Sequence, residues 1–295
     1  MRPTTALKTA MAPGACVMAP GVADCAMARL VASMGFPALY MTGSGTAAVR
    51  LGQPDIGLLT LSEMVDNAAR IADAAELPLV ADADDGYGNP LNVRRAVRLY
   101  ERAGVAALHI EDQMSPKRCG HFGGKRLIAP SDMAAKIQAA VDARTDADLQ
   151  IVARTDALAV EGLSAALDRA ALYAEAGADV TFVEAPRTRE EIATVGRTLK
   201  VPQLFNMSTS GKTPHLAADE LAALNFRLAI YPNYVLYAAL TGARQILERL
   251  KQTQSTEGLK DGLPSFAEFN DLMGMQQARA LEARYAVPEE ARVDS

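Results

Sequence analysis

The feature of the sequence that most constrains the fold is a repeated unit in which a helix stop precedes a short β-rich run. A glycine or asparagine, the residues that best tolerate the left-handed conformation closing a helix, stands seven positions before a polar residue or a proline. The four pairs at this spacing are Gly35 and Thr42, Gly104 and Glu111, Gly177 and Glu184, and Asn225 and Pro232. Such a pattern predicts helix and strand units that repeat in constant phase.

Eight short strand candidates lie along the chain, with helical stretches between most of them. They are Cys16–Met18, Ala38–Met41, Leu79–Ala81, Ala107–Ile110, Ile151–Ala153, Val180–Val183, Gln203–Phe205 and Leu228–Ile230. Helix start signals support the alternation: Thr60 with Glu63 and Thr188 with Glu191 fit capping boxes, and Ser131 and Ser164 are predicted N-caps. We therefore predict an α/β fold of the (β/α)8 TIM-barrel type.

The chain contains no Pro/Gly/Ser-rich linker, so we expect one barrel domain over residues 1–295, with the barrel at about 12–250 and a C-terminal helical extension at about 260–286. The extension has apolar residues in helical phase but no strand to cover, which favours packing on a neighbouring subunit. The competing architecture is an open doubly wound sheet. Its usual Gly-x-Gly-x-x-Gly turn at the first strand is missing, and Thr42-Gly43-Ser44-Gly45 matches only part of it.

Composition excludes several classes of partner. The net charge of −5 argues against nucleic acid and against an anionic membrane surface. No apolar run approaches the roughly 20 residues that span a bilayer, and the N-terminus lacks the pattern of a signal peptide. Three scattered cysteines, Cys16, Cys25 and Cys119, are too few for a disulfide framework, so the expected location is the cytoplasm.

Nearly every predicted strand ends in a polar or charged residue, where a barrel of this type builds its active site. Any one of these residues could equally cap a helix or face water, but eight independent loops would seldom all share the feature by chance. The residues are Tyr40, Thr42, Ser44, Asp82, Asp84, Glu111, Arg154, Asp156, Glu184, Asn206, Ser208 and Tyr231.

Asp82 and Asp84 form the sharpest pair, because alternate residues of a strand share a face. Two convergent carboxylates repel each other unless a cation lies between them. Ligands that are all oxygen, with room for water, suit Mg²⁺ better than zinc, and Glu111 and Asp55 could reach the same ion. The alternative is that Asp85-Gly86 forms a turn and the neighbouring aspartates only solvate it.

Residues 115–126 form a glycine-rich, cationic segment that carries one thiol, Cys119. The flanking lysine, arginine and histidine favour the thiolate form of the cysteine, and three glycines permit the opening and closing that a lid requires. The alternative is a solvated basic loop with an incidental cysteine. Cys16, Cys25 and His109 lie in apolar or helical runs and are predicted to be buried structural residues.

The segment Lys117-Arg118-Cys119-Gly120-His121 resembles the cysteine loop of the lyase branch of the isocitrate lyase/phosphoenolpyruvate mutase superfamily. The resemblance implies a barrel whose terminal helix is exchanged between subunits, in dimers that pair to homotetramers. It covers about residues 15 to 245 and extends through Ala19-Pro20-Gly21, Tyr40-Met41-Thr42-Gly43, Asp82-Ala83-Asp84, His109-Ile110-Glu111-Asp112-Gln113, Ala153-Arg154-Thr155-Asp156 and Asn206.

The resemblance also implies a carbon–carbon lyase that acts on a small dicarboxylate. Cys119 would protonate the enediolate left when the bond between C2 and C3 breaks, and Arg154 would neutralise the developing oxyanion. The base that removes the C2 hydroxyl proton stays open between Tyr40 and a metal-bound water. The resemblance implies that Asp82 and Asp84 bind Mg²⁺ or Mn²⁺, with Asp55 and Glu111 acting mainly through water. The residues that it implies as substrate contacts are Thr42, Gly43, Ser44, Gly120, His121, Arg154, Glu184, Asn206 and Ser208.

Two positions bear on the substrate. In methylisocitrate lyases two arginines grip a third carboxylate, and the corresponding residues here are Tyr237 and Phe266, neither of which pairs with a carboxylate as arginine does. The chain therefore resembles more closely the members that cleave 2,3-dimethylmalate, or a similar 2-alkylmalate, to pyruvate or another 2-oxo acid plus a carboxylic acid. The alternatives are methylisocitrate lyase, which yields pyruvate and succinate, then oxaloacetate hydrolase or a phosphonomutase. A non-catalytic binding protein is disfavoured by the metal pair and the thiol.

Overall fold

The computed structural model describes residues 1–120, 123–209 and 212–286. The chain divides into two compact units, Met1–Ala239 and Leu240–Ser295. The expected single domain with an extension at 260–286 stays a prediction. None of the helices in these described ranges combines the length and the apolar character needed to cross a bilayer.

The first unit is built around eight strands that alternate with helices. The strands are β1 (Val17–Val22), β2 (Leu39–Met41), β3 (Leu79–Asp82), β4 (Ala107–Glu111), β5 (Gln150–Thr155), β6 (Val180–Val183), β7 (Gln203–Asn206) and β8 (Phe226–Tyr231). Each strand pairs in parallel with the next, and β8 pairs with β1, so the sheet closes into a barrel. The (β/α)8 prediction is confirmed, and all eight strand candidates overlap an observed strand.

The helices before β8 are α1 (Pro3–Ala10), α2 (Cys25–Ser33), α3 (Gly43–Leu51), α4 (Leu61–Ala75), α5 (Pro90–Arg102), α6 (Pro130–Ala143), α7 (Leu163–Glu175), α8 (Arg189–Thr198) and α9 (Ala218–Ala223). A short 3-10 helix covers Ala157–Ala159. The helix α10 (Tyr234–Thr253) begins in the first unit and ends in the second, which also contains α11 (Phe266–Leu272) and α12 (Met275–Arg284). Two helices lie within the predicted C-terminal helical extension, and Gly274, with a φ of 89°, separates them.

The helix stops are where the sequence places them. Gly35, Gly104, Gly177 and Asn225 all have left-handed backbone, with φ values of 78°, 84°, 106° and 66°. A side chain other than glycine or asparagine would be strained there, which explains the constant spacing before each strand.

The capping predictions are confirmed in part. Both capping boxes form, at Thr60 and at Thr188. The two predicted serine caps are wrong, because α6 and α7 each begin one residue before the serine, and Ser131 and Ser164 lie inside the first turn. Pro130 sets the first helical φ of α6 and so starts that helix early.

The barrel interior is apolar along most of its length and polar at the carboxyl ends of the strands. Its buried side chains include Val17, Ala19, Tyr40, Val80, Ala107, Val152, Val180, Phe182, Leu204, Leu228 and Ile230. A second layer of apolar side chains seals the outer face of the sheet against the helices. Because the strands are parallel, their carboxyl ends meet at one end of the barrel, and the polar residues that follow them are gathered there.

Candidate active site

The polar residues at the carboxyl ends of the strands surround one cavity. Of the predicted site residues, those that line it are Tyr40, Thr42, Ser44, Asp55, Asp82, Glu111, Cys119, Gly120, Arg154, Glu184, Asn206 and Ser208. Gly43 and Asp84 lie directly behind this lining, and His121 lies outside the described residues. The residues that the sequence selected on separate strands are therefore brought to one place.

Both carboxylate oxygens of Asp82, the last residue of β3, accept hydrogen bonds from backbone N–H groups. Gly43 N–H donates to Oδ2 at 3.1 Å, and Asp84 N–H donates to Oδ1 at 3.0 Å. A Cβ at position 43 would lie 2.5 Å from Oδ2, so the close approach requires glycine. Burial acts to raise the pKa of Asp82, but His109, Lys117 and Arg154 lower it to about 2. Since burial lowers the pKa of His109 to about 4, that ring is neutral at pH 7, and Lys117 and Arg154 keep the carboxylate ionised.

Asp84 and Asp55 share the ammonium group of Lys117. Lys117 Nζ lies 2.6 Å from Asp55 Oδ1 and 2.7 Å from Asp84 Oδ1, and the lysine is only 5% exposed. Burial raises the pKa of Asp84 to about 7 in spite of this cation. Asp84 also has a φ of 47°, a left-handed conformation that non-glycine residues seldom adopt and that often marks a functional site.

The carboxylates fit a magnesium site by their chemistry and by their unsatisfied atoms. Asp84 Oδ1 accepts no well-directed hydrogen bond although Lys117 Nζ is near, and the buried Glu111 Oε1 has no partner among the described residues. Burial raises the pKa of Glu111 well above its ordinary value in spite of the Arg154 guanidinium 3.2 Å away. No three acidic, histidine or cysteine side chains in the described ranges form a preassembled cage. A few carboxylates with space for water are nevertheless what Mg²⁺ prefers.

Arg154, near the end of β5, is the central cation of the cavity. Its guanidinium makes two contacts with Asp156, Nε to Oδ2 at 3.0 Å and Nη2 to Oδ1 at 3.2 Å. It also lies 3.2 Å from Glu111 and 3.7 Å from Glu184, with its plane over the ring of Phe182. With all of its edges occupied, the side chain is fixed before any substrate arrives, and this is the preorganisation that oxyanion stabilisation needs.

Tyr40 and His109 form a buried pair beside Asp82. The Tyr40 hydroxyl lies 2.9 Å from His109 Nε2 and 3.5 Å from Asp82 Oδ2. Burial, and then the charge of Asp82, raise the pKa of Tyr40 well above its ordinary value. The phenol is therefore protonated at neutral pH and acts as a hydrogen-bond donor. His109 is fully buried, as the sequence predicted.

The described residues of the cysteine loop (residues 115–127) are anchored at several points. An antiparallel β-bridge between Gln113 and Leu127 joins the two ends of the loop. The Gln113 side chain forms hydrogen bonds with both the N–H and the C=O of Arg118. Cys119 N–H donates to the backbone oxygen of Asp55 at 3.2 Å. These contacts place Cys119 at the cavity, with the thiol half-buried.

The three cysteines are expected to differ in reactivity. Burial raises the pKa of Cys16 to about 12, and burial with the charge of Asp24 raises that of Cys25. The thiolate is the nucleophilic form of cysteine, so the raised pKa makes Cys16 a poor nucleophile at pH 7.5. Peptide mapping after brief iodoacetamide treatment at pH 7.5 is expected to find Cys119 modified first. Equal labelling of Cys16 and Cys119 would show that the Cys119 thiol is not accessible to the reagent in the loop.

Sequence reasoning did not identify the contacts of three residues of the site. Lys117 was assigned only to favouring the Cys119 thiolate, although it is the cation among the aspartates. Asp156 stands two positions after Arg154, and the alternation rule that paired Asp82 with Asp84 would have paired these as well. Lys125, at the far end of the loop, carries no local signal of its contact with Asp156.

Known proteins share both sequence and structure with this chain. The family model for phosphoenolpyruvate phosphomutase matches residues 7–251. The 2,3-dimethylmalate lyase of Eubacterium barkeri is 46% identical over 270 residues, covering 92% of this chain and 93% of that protein. A 2-methylisocitrate lyase of Aeropyrum pernix is 45% identical over 258 residues, covering 88% and 83%.

Solved structures agree with these sequences. A trigonal crystal structure of 2,3-dimethylmalate lyase, a PEP mutase/isocitrate lyase superfamily member, superposes with a TM-score of 0.92 at 38% identity, covering 100% of this chain and 99% of that one. Phosphonopyruvate hydrolase in complex with oxalate and Mg²⁺ superposes with a TM-score of 0.88 at 31% identity, covering 97% and 99%. With its closed barrel and its cavity of strand-end acids, the chain belongs to the phosphoenolpyruvate mutase/isocitrate lyase superfamily.

Proposed function

We propose that this protein is a Mg²⁺-dependent carbon–carbon lyase that cleaves a small 2-hydroxy dicarboxylate to a 2-oxo acid and a carboxylic acid. The observation that carries the proposal is the position of Cys119, a thiol at the same cavity as the Asp82 carboxylate and the fixed Arg154 guanidinium. A proton donor, an anion-stabilising cation and a metal-binding acid are the groups that such a cleavage requires. The lyase names of the two relatives support the same reaction class.

Asp82 and Asp84 are the proposed Mg²⁺ ligands, with Asp55 and Glu111 acting mainly through water. Mn²⁺ is expected to substitute, because it accepts the same oxygen ligands. When bound, the metal would polarise the oxygen at C2 and stabilise negative charge there. Support comes from the buried Glu111 Oε1, which has no hydrogen-bond partner among the described residues, and from the Mg²⁺ in the phosphonopyruvate hydrolase structure.

The 2-oxo acid part is proposed to bind at the N-terminus of α3. Thr42 caps this helix, its hydroxyl accepting from Gly45 N–H at 3.3 Å, and Ser44 bonds Thr42 and Asn233. Together with Gly43, these residues present a polar, positively polarised helix end to the cavity, which favours a carboxylate.

The other carboxylate fragment is proposed to lie toward Glu184, Asn206 and Ser208. The amide of Asn206 donates to both oxygens of Glu184 at 3.2 Å, so the two side chains act as one polar unit. Gly120 packs against Glu184 and Arg154 and closes this side, and His121 is proposed to join it.

The proton steps follow from the groups present. Cys119 donates its proton to C3 after the C2–C3 bond breaks, and Arg154 holds the enediolate oxygen. The raised pKa of Tyr40 favours a role as a hydrogen-bond donor over that of the base that accepts the C2 hydroxyl proton. Tyr40 therefore orients groups around Asp82.

The preferred substrate is proposed to be 2,3-dimethylmalate or a similar 2-alkylmalate. Sequence identity alone does not distinguish the two substrate classes, because the 2,3-dimethylmalate lyase and the 2-methylisocitrate lyase are 46% and 45% identical to this chain. Tyr237, half-exposed at the start of α10, and Phe266, at the start of α11, offer no charge for a third carboxylate. Methylisocitrate is the second candidate, because lyases of that name are among the relatives.

A substrate panel tests the proposal. We expect kcat/KM for a 2-alkylmalate to exceed that for methylisocitrate by at least about tenfold, the effect of one missing charge-assisted contact. Pyruvate, oxalate and glyoxylate are measured as products with 2-alkylmalates, methylisocitrate and oxaloacetate. Tyr237→Arg is expected to raise the methylisocitrate rate. A wild-type preference for methylisocitrate would reverse the substrate assignment and leave the lyase class standing, whereas oxalate from oxaloacetate alone would indicate a hydrolase.

The protein is also proposed to form homotetramers, as dimers of dimers, by exchange of the C-terminal helical segment. None of the described residues of α10, α11 and α12 is buried in the single chain. Several are large and apolar: Leu240, Leu247, Phe266, Phe269 and Leu281 are each at least half exposed. Exposed apolar surface of this kind marks an interface.

The expected cytoplasmic location stays a prediction.

Deleting the chain from Pro264 onward is expected to disrupt the assembly. The loss would remove apolar surface from the proposed interface, so light scattering should show dissociation or aggregation in place of a tetramer. The full-length chain measured at the same concentration is the control. A truncated protein that remains a tetramer, or a full-length protein that is an active monomer, would contradict helix exchange.

A further inference from the structure

Lys125 joins the cysteine loop to the floor of the active site. Its side chain is almost completely buried, and Nζ lies 2.6 Å from the carbonyl oxygen of Gly120 and 2.7 Å from Asp156 Oδ1. Gly120 follows Cys119 directly. One ammonium group therefore connects the backbone next to the thiol with a carboxylate at the end of β5.

That carboxylate also holds Arg154. Asp156 Oδ1 accepts from both Lys125 and Arg154, and Oδ2 accepts from Arg154 Nε at 3.0 Å. The orientation of the guanidinium and the position of the ammonium thus depend on the same two oxygens. A shift of Asp156 would move both cations.

Asp156 is fixed from behind. Its N–H donates to Asp112 Oδ1 at 2.9 Å, and Asp112 Oδ2 accepts from Thr155 and from the hydroxyl of Tyr173, at 2.7 and 2.9 Å. All of these groups belong to the barrel or to α7, so Asp156 is the fixed partner of the contact. Lys125 and Gly120 lie on the loop, outside this network.

The loop backbone and Arg154 also touch directly. A Cβ on Gly120 would lie 2.3 Å from Arg154 Nη2, so the loop backbone packs closely against the guanidinium and only glycine fits there. Displacement of the loop would separate Lys125 from Asp156 and deprive a buried carboxylate of one of its two cations, which is costly. The closed loop and the Arg154–Asp156 pair therefore stabilise each other.

We propose that Lys125 is a positioning residue that couples the placement of Cys119 to the orientation of Arg154 through their shared partner Asp156. Its catalytic consequence rests on the proposed lyase function. In that reaction the proton donor and the oxyanion partner must be in place together, and Lys125 is the physical connection between them.

Lys125→Met tests the coupling, because methionine nearly keeps the length of the side chain but removes the charge and the donors. Hydrogen exchange of residues 115–127 and the alkylation rate of Cys119 are measured without substrate. We expect both to rise by about tenfold or more as the loop opens more often. With substrate, kcat is expected to fall by about 10² while KM changes by less than about threefold.

The matched control is Arg126→Met, which makes the same charge change at the adjacent, exposed position. It is expected to leave exchange, alkylation and kcat within about twofold of the wild type, as surface substitutions usually do. Asp156→Asn should open the loop as Lys125→Met does, and the double variant should be little worse than either, since the two residues act as one unit.

Each outcome decides the matter. Unchanged exchange and alkylation in Lys125→Met would overturn the proposed connection, and a looser loop with unchanged kcat would overturn its link to Arg154. Strictly additive effects in the double variant would mean that the two residues act separately, against the proposal. If the wild type cleaves none of the substrate panel, the lyase proposal fails but the coupling proposal does not. Hydrogen exchange and alkylation test the coupling without substrate, so the two failures can be distinguished.

Discussion

Replacing Cys119 by serine is expected to lower kcat by a factor of about 100 or more, equivalent to about 2.7 kcal/mol of transition-state stabilisation. Serine keeps the size of the side chain but is a far weaker acid, so the carbanionic enediolate would not be quenched efficiently. KM should change little, because Arg154 and the strand-end carboxylates are untouched. Steady-state kinetics with the best 2-alkylmalate measures the split between kcat and KM.

Cys25→Ser is the control for this experiment, since Cys25 lies at the start of α2 and does not line the active-site cavity. Its kcat is expected to equal that of the wild type. If Cys119→Ser were as fast as the wild type, the thiol would not be the acid, and the lyase mechanism proposed here would fall.

Replacing Asp84 by asparagine is expected to cost about 10³ in kcat/KM, or about 4 kcal/mol, as a lost metal ligand does. Asparagine tolerates the left-handed backbone at this position, so the fold should persist. Treatment with EDTA should abolish wild-type turnover, and added Mg²⁺ or Mn²⁺ should restore it. Calorimetric titration with Mn²⁺ is expected to show weaker binding by the variant.

Asp85→Asn is the matched control, one residue further along the chain. The Asp85 side chain accepts a hydrogen bond from Tyr87 N–H at 2.9 Å and does not line the cavity, and asparagine preserves that acceptor. Metal affinity and turnover should therefore change little. Full activity of the wild type in EDTA would remove the metal assignment, and equal losses in both variants would show that the turn matters more than the Asp84 charge.

The barrel could be predicted because its signals are local. A glycine or asparagine at a helix end adopts left-handed backbone by its own conformational preference, as Gly35, Gly104, Gly177 and Asn225 do. The capping boxes at Thr60 and Thr188 are likewise contained within four residues. The errors at Ser131 and Ser164 arose where a neighbouring residue started the helix first.

Much of the candidate site could be placed for a related reason. Once the strands are parallel and closed into a barrel, every residue at a carboxyl end faces the same region, which is how Asp82, Arg154, Glu184 and Asn206 come to line one cavity. The loop motif around Cys119 added the proposed proton donor. The sequence alone thus determined the architecture, the family and most of the residues that meet.

Tertiary structure decided the pairing of charges among those residues. Lys117 bridges Asp55 and Asp84, and Lys125 bridges Gly120 and Asp156, contacts between segments up to 62 positions apart. Spacing along a chain carries no information about such a contact, because a long, flexible lysine reaches several carboxylates and selects among them only by the distances and burial of the folded state. Burial raises the pKa of both carboxyls at this strand end, but the charges around Asp82 bring its pKa down to about 2, whereas that of Asp84 stays at about 7. Desolvation and the fields of distant charges act through space, so they exist only once the barrel has closed.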